Sequence, residues 1–406
     1  MRTKSILVSS IGSAFETFDF HIFGLFAFQI SMALLHQESL NSSLILIFAI
    51  FGAGYFARPI GAIFWGNLGD KYGRKIPFKW TVILIGISSL IIAILPSSNT
   101  IGIFTPLILA ACRLVQGFSF GGELTAAVLL VNEQSSTRRN FLTSIVIFCA
   151  TFGMILGSIA YFLLSFVLTT EQFFAYSWRL AFAFGGVAVL LSYFWRSSID
   201  ETLTPDIDQP RGFVLIELLK NHLGLSLKSL LTISSCTVFL AMFIVFLPTY
   251  CQKCLGLDKN VTSTYVLVTI VTYAISVLAG GYIADKIGNK ATQGIGIVLA
   301  IVLLVPLATA LILKASLVWT IVLIVAFAFV NGLINANYMC VVLNRFKKSR
   351  RFSGLAITQN LGMAIFTGGL PILFAYLAVD LKILTAPFYI LVVVYIISLL
   401  SLFERK

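Results

Sequence analysis

The chain has 406 residues, of which 59% are hydrophobic and only 11% charged. A soluble domain carries about 25% charged residues, so a surface this apolar belongs in a membrane rather than in water. The formal net charge of +12 would suit a nucleic-acid partner in a soluble protein. Here it collects in loops between apolar runs, and no nucleic-acid partner is expected.

A spanning helix needs about 20 apolar residues. Twelve candidate segments follow one another, at about 6–34, 42–65, 78–97, 101–131, 142–167, 178–196, 229–250, 261–284, 292–313, 316–343, 353–378 and 383–403. Several are longer than the hydrocarbon requires, which implies tilt or helix continuing past the lipid. Runs of this length exclude a transmembrane barrel. A polar stretch, 197–228, holds Asp200, Glu201, Asp206, Asp208, Arg211 and Lys220 and separates the first six segments from the last six. The expected fold is therefore all-α, with an N-terminal six-helix bundle over 1–196, a cytoplasmic linker over 197–228 and a C-terminal six-helix bundle over 229–406. Segment 1 is not a cleavable signal, because it is long, carries Glu16, Asp19 and His21, and lacks a suitable small-residue cleavage site.

Between segments 2 and 3 lies a charged, glycine-punctuated turn, Gly66-Asn67-Leu68-Gly69-Asp70-Lys71-Tyr72-Gly73-Arg74-Lys75. A fainter copy, Gly281-Tyr282-Ile283-Ala284-Asp285-Lys286-Ile287-Gly288-Asn289-Lys290, follows between segments 8 and 9, and 281−66, 285−70, 288−73 and 290−75 all equal 215. One loop repeated at about half the chain length marks a fused pair of similar bundles. Asn289 stands where the first copy has Arg74, so the halves have diverged.

Orientation follows from lysine and arginine. With the N-terminus inside, 21 of the 28 fall on the cytoplasmic side, and only Lys253, Lys259, Lys314 and Lys382 lie outside. That bias places both termini in the cytoplasm of an inner, plasma-type membrane. Four of the six cysteines sit singly in apolar segments as small hydrophobes. Cys251 and Cys254 form a C-x-x-C at the outer end of segment 7, a periplasmic disulfide or a pair of spectators. No histidine cluster accompanies them, and no metal or cofactor is expected.

An ionisable side chain in the hydrocarbon region costs at least about 2.5 kcal/mol. The first half places five such groups there: Glu16 and Asp19 in segment 1, Arg58 in segment 2, Arg113 and Glu123 in segment 4. At about 1.5 Å per residue, Glu16 and Arg113 both reach the region of the midplane, with Arg58 and Glu123 nearer the inner side. Two readings are open: a proton-coupling cluster, or ion pairs that only hold segments 1, 2 and 4 together. The second half offers neutral polar groups instead: Tyr250 at the end of segment 7, Asn331, Asn335, Asn337 and Tyr338 in segment 10, and Gln359 and Asn360 in segment 11. Asn331 and Asn335 share a helix face. Each can bind substrate, or simply hydrogen-bond between helices.

Gly66 to Lys75 resembles the loop signature of the major facilitator superfamily, G-x-x-x-D-[RK]-x-G-R-[RK]. Arg113-Leu114-Val115-Gln116-Gly117, with Gly121 beyond, is similar to the arginine motif of segment 4 in that superfamily. Further pieces resemble its metabolite–proton symporter branch, the carriers of proline/betaine, α-ketoglutarate, citrate and shikimate type. They are Glu16-Thr17-Phe18-Asp19-Phe20, Arg58-Pro59-Ile60-Gly61, Gln116 to Glu123, Trp178-Arg179, Glu201-Thr202 and Leu247-Pro248-Thr249-Tyr250. The likeness runs from segment 1 to segment 8 and is thin beyond. Thr17 replaces the branch's usual tryptophan, and the sequence stops at Lys406 without the long cytoplasmic tail of some proline/betaine carriers, so osmosensing through such a tail is not expected.

The resemblance implies alternating access, with segments 1, 4, 7 and 10 lining a central cavity. It also implies a latch in which Asp70 meets the positive end of segment 11 near Ser353. Gly66, Asp70, Gly73, Arg74 and Asp285 are the gating candidates, although the basic residues of the loop also read as plain topology determinants. Arg113, Gln116, Tyr250, Asn331, Asn335 and Gln359 are the substrate-binding candidates. Asp19 or Glu16 is the candidate proton carrier by depth, with Glu123 as an inner relay.

The reading that follows is a monomeric, proton-coupled importer of a small polar metabolite, a zwitterion or organic acid. A proton-driven exporter is the alternative, but exporters of the superfamily carry a G-P-x-x-G-G-like run in segment 5, where this chain has Gly153 and Gly157 without proline. A passive facilitator or a non-transporting sensor has no use for buried acids. No nucleophile–base constellation or phosphate loop points to an enzyme.

Overall fold

A computed structural model describes residues 2–35, 40–72, 75–120, 123–134, 138–197, 223–346 and 351–403. Gly73, Arg74 and most of the linker 197–228 lie outside these residues, and so do the side chains of Asp70, Glu123 and Ser353.

Among the described residues every regular element is a helix. The helices are α1 (Arg2–Leu25), α2 (Ala27–Leu34), α3 (Leu40–Tyr72), α4 (Lys75–Ile94), the short α5 (Ser98–Ile101), α6 (Phe104–Ser119), α7 (Glu123–Gln134), α8 (Arg139–Val167) and α9 (Thr170–Ser197). Then come α10 (Leu223–Cys254), α11 (Lys259–Ile287), α12 (Asn289–Ile312), α13 (Leu317–Leu343), α14 (Arg351–Gly362, continuing through π-turns to Asp380) and α15 (Ala386–Leu402). Among the described residues eight helices are long and apolar enough to cross a membrane, and a ninth span is the pair α1–α2, bent by 64°. The apolar stretches Lys79–Ile94, Phe104–Ser119 and Ala386–Leu402 are shorter.

Two local features differ from the sequence reading. Segment 4 is not one rod. It leaves the helix at Phe120 (φ −90, ψ 85), beside a glycine pair with little helical preference, and resumes as α7. The loop motif is also mostly helix, since Gly66 to Tyr72 complete α3 and Gly281 to Ile287 complete α11. In the second copy the chain turns at Gly288, whose φ of +90 lies where a Cβ is strained; Gly73 stands 215 residues before it.

Phenylalanine supplies much of the packing. Phe23 stacks on Phe51 between α1 and α3, Phe48 meets Phe246 between α3 and α10, Phe239 stacks on Tyr273 of α11, and Phe243 meets Phe327 of α13. Among the described residues polar contacts join the two halves at both ends of the bundle. At one end Asp285 accepts from the backbone N–H groups of Asn140 and Phe141 (3.0 and 3.1 Å), the first turn of α8. At the other, Gln29 donates to Gln252 (3.0 Å), Gln252 to Tyr161 (2.5 Å) and Asn41 to Asp380 (3.4 Å).

Candidate functional site

Asp19 projects from α1 into a site with no solvent exposure. A carboxylate there must be satisfied by protein donors, and two helices supply them. Ser89 of α4 donates its hydroxyl to one carboxylate oxygen. Gln116 of α6 donates its amide to the other at 2.7 Å and also reaches Ser89 Oγ at 2.8 Å. The Gln116 carbonyl in turn accepts from Arg113 Nη1 at 2.8 Å. Arg113 and Gln116 lie one helical turn apart, so they share a face, and Gln116 sits as an amide bridge between the acid and the arginine.

Arg113 is fully buried as well. Among the described residues its Nε and Nη2 have no hydrogen-bond partner, and its guanidinium packs on the rings of Phe20 (4.1 Å), Phe23 (4.4 Å) and Phe51 (5.4 Å). Three buried N–H groups on two nitrogens without acceptors are costly in a folded protein. Their chemistry suits an anionic oxygen.

Close backbone approach makes room for this cluster. A Cβ on Gly117 would overlap the Gly54 carbonyl oxygen, and one on Gly61 would overlap that of Phe118. A Cβ on Gly185 of α9 would lie 3.2 Å from an Asp19 carboxylate oxygen. Small residues let transmembrane helices meet at this range.

A model of the Major Facilitator Superfamily matches residues 18–367. The chain belongs to that superfamily. It is therefore a membrane carrier of small solutes and not an enzyme. It is 30% identical over 404 residues to a Staphylococcus aureus (strain COL) protein named provisionally as a proline/betaine transporter, covering 98% of this chain and 86% of that one. It is 27% identical to the glycine betaine/proline/ectoine/pipecolic acid transporter OusA of Dickeya dadantii, over 98% of this chain and 82% of that one. The fold is similar to a crystal structure of a D-xylose–proton symporter, with TM-score 0.78, 17% identity and coverage of 98% and 97%. A partially occluded inward-open form of the xylose transporter XylE from E. coli gives TM-score 0.75, 14% identity and coverage of 98% and 96%.

Within this carrier the sequence candidates separate. Asp19, Arg113 and Gln116 come together. Glu16 is buried one turn earlier in α1; Glu123 lies outside the described side chains. Arg58 is buried against Phe20, Tyr55 and Phe120, at 3.9, 4.2 and 4.3 Å from their ring centres. The candidates of the second half bond to other residues of that half. Asn331 accepts from Tyr395 (2.6 Å), Asn335 from the Cys236 thiol (2.8 Å), and Tyr250 donates to the Leu384 carbonyl (2.9 Å). Gln359 is buried, and among the described residues its carbonyl oxygen has no hydrogen-bond partner. Ser89 and Gly185 had no signal in the sequence, because a serine or glycine in an apolar run is ordinary helix-packing material.

Proposed function

We propose that the chain is a proton-coupled importer of a small zwitterion or organic acid, working by alternating access between two six-helix bundles. The N-terminal bundle is 1–196 and the C-terminal bundle 229–406, joined by the linker 197–228. In this reading the bent pair α1–α2 and the three shorter apolar helices complete twelve spans. Loop lysines and arginines support an inner-membrane topology with both termini cytoplasmic. The names of the relatives favour a zwitterion as substrate, and the carrier works as a monomer.

The observation that carries this reading is the buried chain Asp19–Gln116–Arg113, with the N–H donors of Arg113 Nε and Nη2 unspent among the described residues. A substrate carboxylate takes those donors. Asp19 then loses the counter-charge that stabilised its ionised form and accepts a proton, since an uncompensated buried acid favours its neutral state. Substrate and proton thereby each raise the other's affinity, as symport requires. Glu16, on the same helix, and Glu123, at the start of α7, serve the proton's path. Asp70 and Asp285 are assigned as gate residues: Asp285 ties α11 to the positive end of α8, and the repeat gives Asp70, whose side chain lies outside the described ones, the equivalent part toward the start of α14.

The test is uptake into proteoliposomes with an imposed pH gradient, using betaines, amino acids and mono- to tricarboxylates. Asp19→Asn should abolish accumulation while retaining substrate exchange down its gradient. Undiminished uphill uptake by Asp19→Asn, Glu16→Gln and Glu123→Gln alike would refute coupling through these acids.

A further inference from the structure

Arg58 has an unusual environment for a membrane arginine. Its side chain is buried, and among the described residues its Nε has no hydrogen-bond partner. Three aromatic rings enclose it instead, from three different elements: Phe20 of α1, Tyr55 of α3 and Phe120 at the break between α6 and α7. The rings also form walls for one another. Phe20 meets Tyr55 edge-on, with centres 4.8 Å apart, and lies 5.6 Å from Phe120. Such a set of π-faces is a cage for a cation, and cages of this kind suit alkylated ammonium groups, which are poorly hydrated and cannot use a carboxylate fully.

Two further facts make the cage a site. Phe20 is shared, because the Arg113 guanidinium also lies 4.1 Å from its centre. A place for a cation and a place for a carboxylate thus stand on one ring. The cage also borders a close approach of α3 to α14: a Cβ on Gly368 of α14 would lie 2.9 Å from the Tyr55 Cβ, and one on Gly52 would lie 2.7 Å from the Gly368 carbonyl oxygen.

We infer that Phe20, Tyr55 and Phe120 form the recognition cage for the alkylated ammonium head of a zwitterionic substrate, and that Arg58 is the occupant this head displaces. The inference rests on the carrier reading above and adds the site at which the cationic end is chosen. A zwitterion of the betaine kind places its carboxylate on Arg113 and its methylated nitrogen in the cage. Arg58 keeps the cage from collapsing in the empty carrier and gives way to a cation of similar size.

The probe is a matched pair of ligands, glycine betaine and 3,3-dimethylbutyrate, which has the same shape with carbon in place of the charged nitrogen. Binding is measured by calorimetry on the purified full chain without any gradient. Glycine betaine should bind at least about tenfold more tightly, since a desolvated cation–π set is worth that much. Tyr55→Leu and Phe120→Leu keep an apolar wall but lose the π-face, so they should weaken betaine alone and bring the ratio toward one. Phe120→Trp should preserve the ratio, and Arg58→Gln should bind betaine at least as tightly as the parent. Equal affinities in the parent, no betaine binding, or leucine variants that weaken both ligands alike would overturn the cage. Weaker betaine binding by a folded Arg58→Gln would overturn Arg58 as the displaced occupant. Should the leucine variants fail to fold, the parent's ratio and Phe120→Trp still decide. Proton movement in proteoliposomes reads coupling separately: gradient-driven uptake with no preference for betaine refutes the cage alone, and betaine preference without proton movement refutes the coupling alone.

Discussion

At Gly117 α3 and α6 meet backbone to backbone, since any Cβ there would overlap the carbonyl oxygen of Gly54. Gly61 meets Phe118 in the same way one stretch further along. Both belong to short strings that the sequence offered as family words, Arg58-Pro59-Ile60-Gly61 and Gln116-Gly117. Their physical reason, a backbone-to-backbone approach that sets Arg113 and Gln116 facing Asp19, depends on which helices are neighbours and is not written in either string. Gly117→Ala should therefore cost folded protein. Forcing a methyl into a packed interface costs about 1–3 kcal/mol, and this contact is too close for a small shift to relieve. Gly294→Ala is the control, because its nearest foreign atoms are 3.8 and 3.9 Å away and alanine is the better helix former by about 1 kcal/mol. Thermal melting in detergent should show Gly117→Ala falling and Gly294→Ala holding or rising. Equal melting temperatures would mean that α3 and α6 are not in this register.

At the scale of elements, helix ends do much of the organising. Arg179 of α9 donates to the carbonyls of Ala93 and Leu95 (both 2.8 Å), where α4 ends and its last carbonyls need donors. Arg345 donates to Thr232 Oγ1 (2.7 Å) and to the Ser401 carbonyl (2.8 Å), tying the end of α13 to α10 and α15. Arg345 counted in the sequence only as a topology charge, because a loop arginine looks alike whether or not it has a partner. Asp285 is the opposite case. The constant spacing of the two loop copies singled it out as Asp70's equivalent, and its carboxylate indeed sits on a helix N-terminus. The identity of that helix, α8, came only from tertiary packing. A charge at a helix N-terminus is worth about 0.3–2 kcal/mol, so Asp285→Asn should shift the population open at this end by a few-fold. Thiol labelling of a cysteine placed in α8 near Ser144 should accelerate accordingly. An unchanged rate would leave Asp285 as a cap with no role in gating.

Among the described residues, contacts between the two halves stand at both ends. One end is held by Asp285 on α8 and by Asn132 against Cys340 (3.7 Å). The other has the Gln29–Gln252–Tyr161 chain, and Lys259 of α11 donating to the carbonyls of Ser165 and Leu168 at the end of α8 (2.6 Å to Leu168). Helices α8 and α11 thus touch at both extremes, with Ser165 and Ser263 hydroxyls 2.7 Å apart at the second. An alternating carrier must break the contacts at either end in turn, never at both together. Ser165→Cys with Ser263→Cys, in a background without the native cysteines, places two thiols within disulfide reach, where Cβ atoms are typically about 3.5–4.5 Å apart. Oxidation should lock that end closed and stop uptake into vesicles, and reduction should restore it. Each single cysteine variant should be indifferent to oxidant. Full uptake with the disulfide shown to be formed would mean that α8 and α11 move together at that end, and that the path opens along the α3–α14 seam instead.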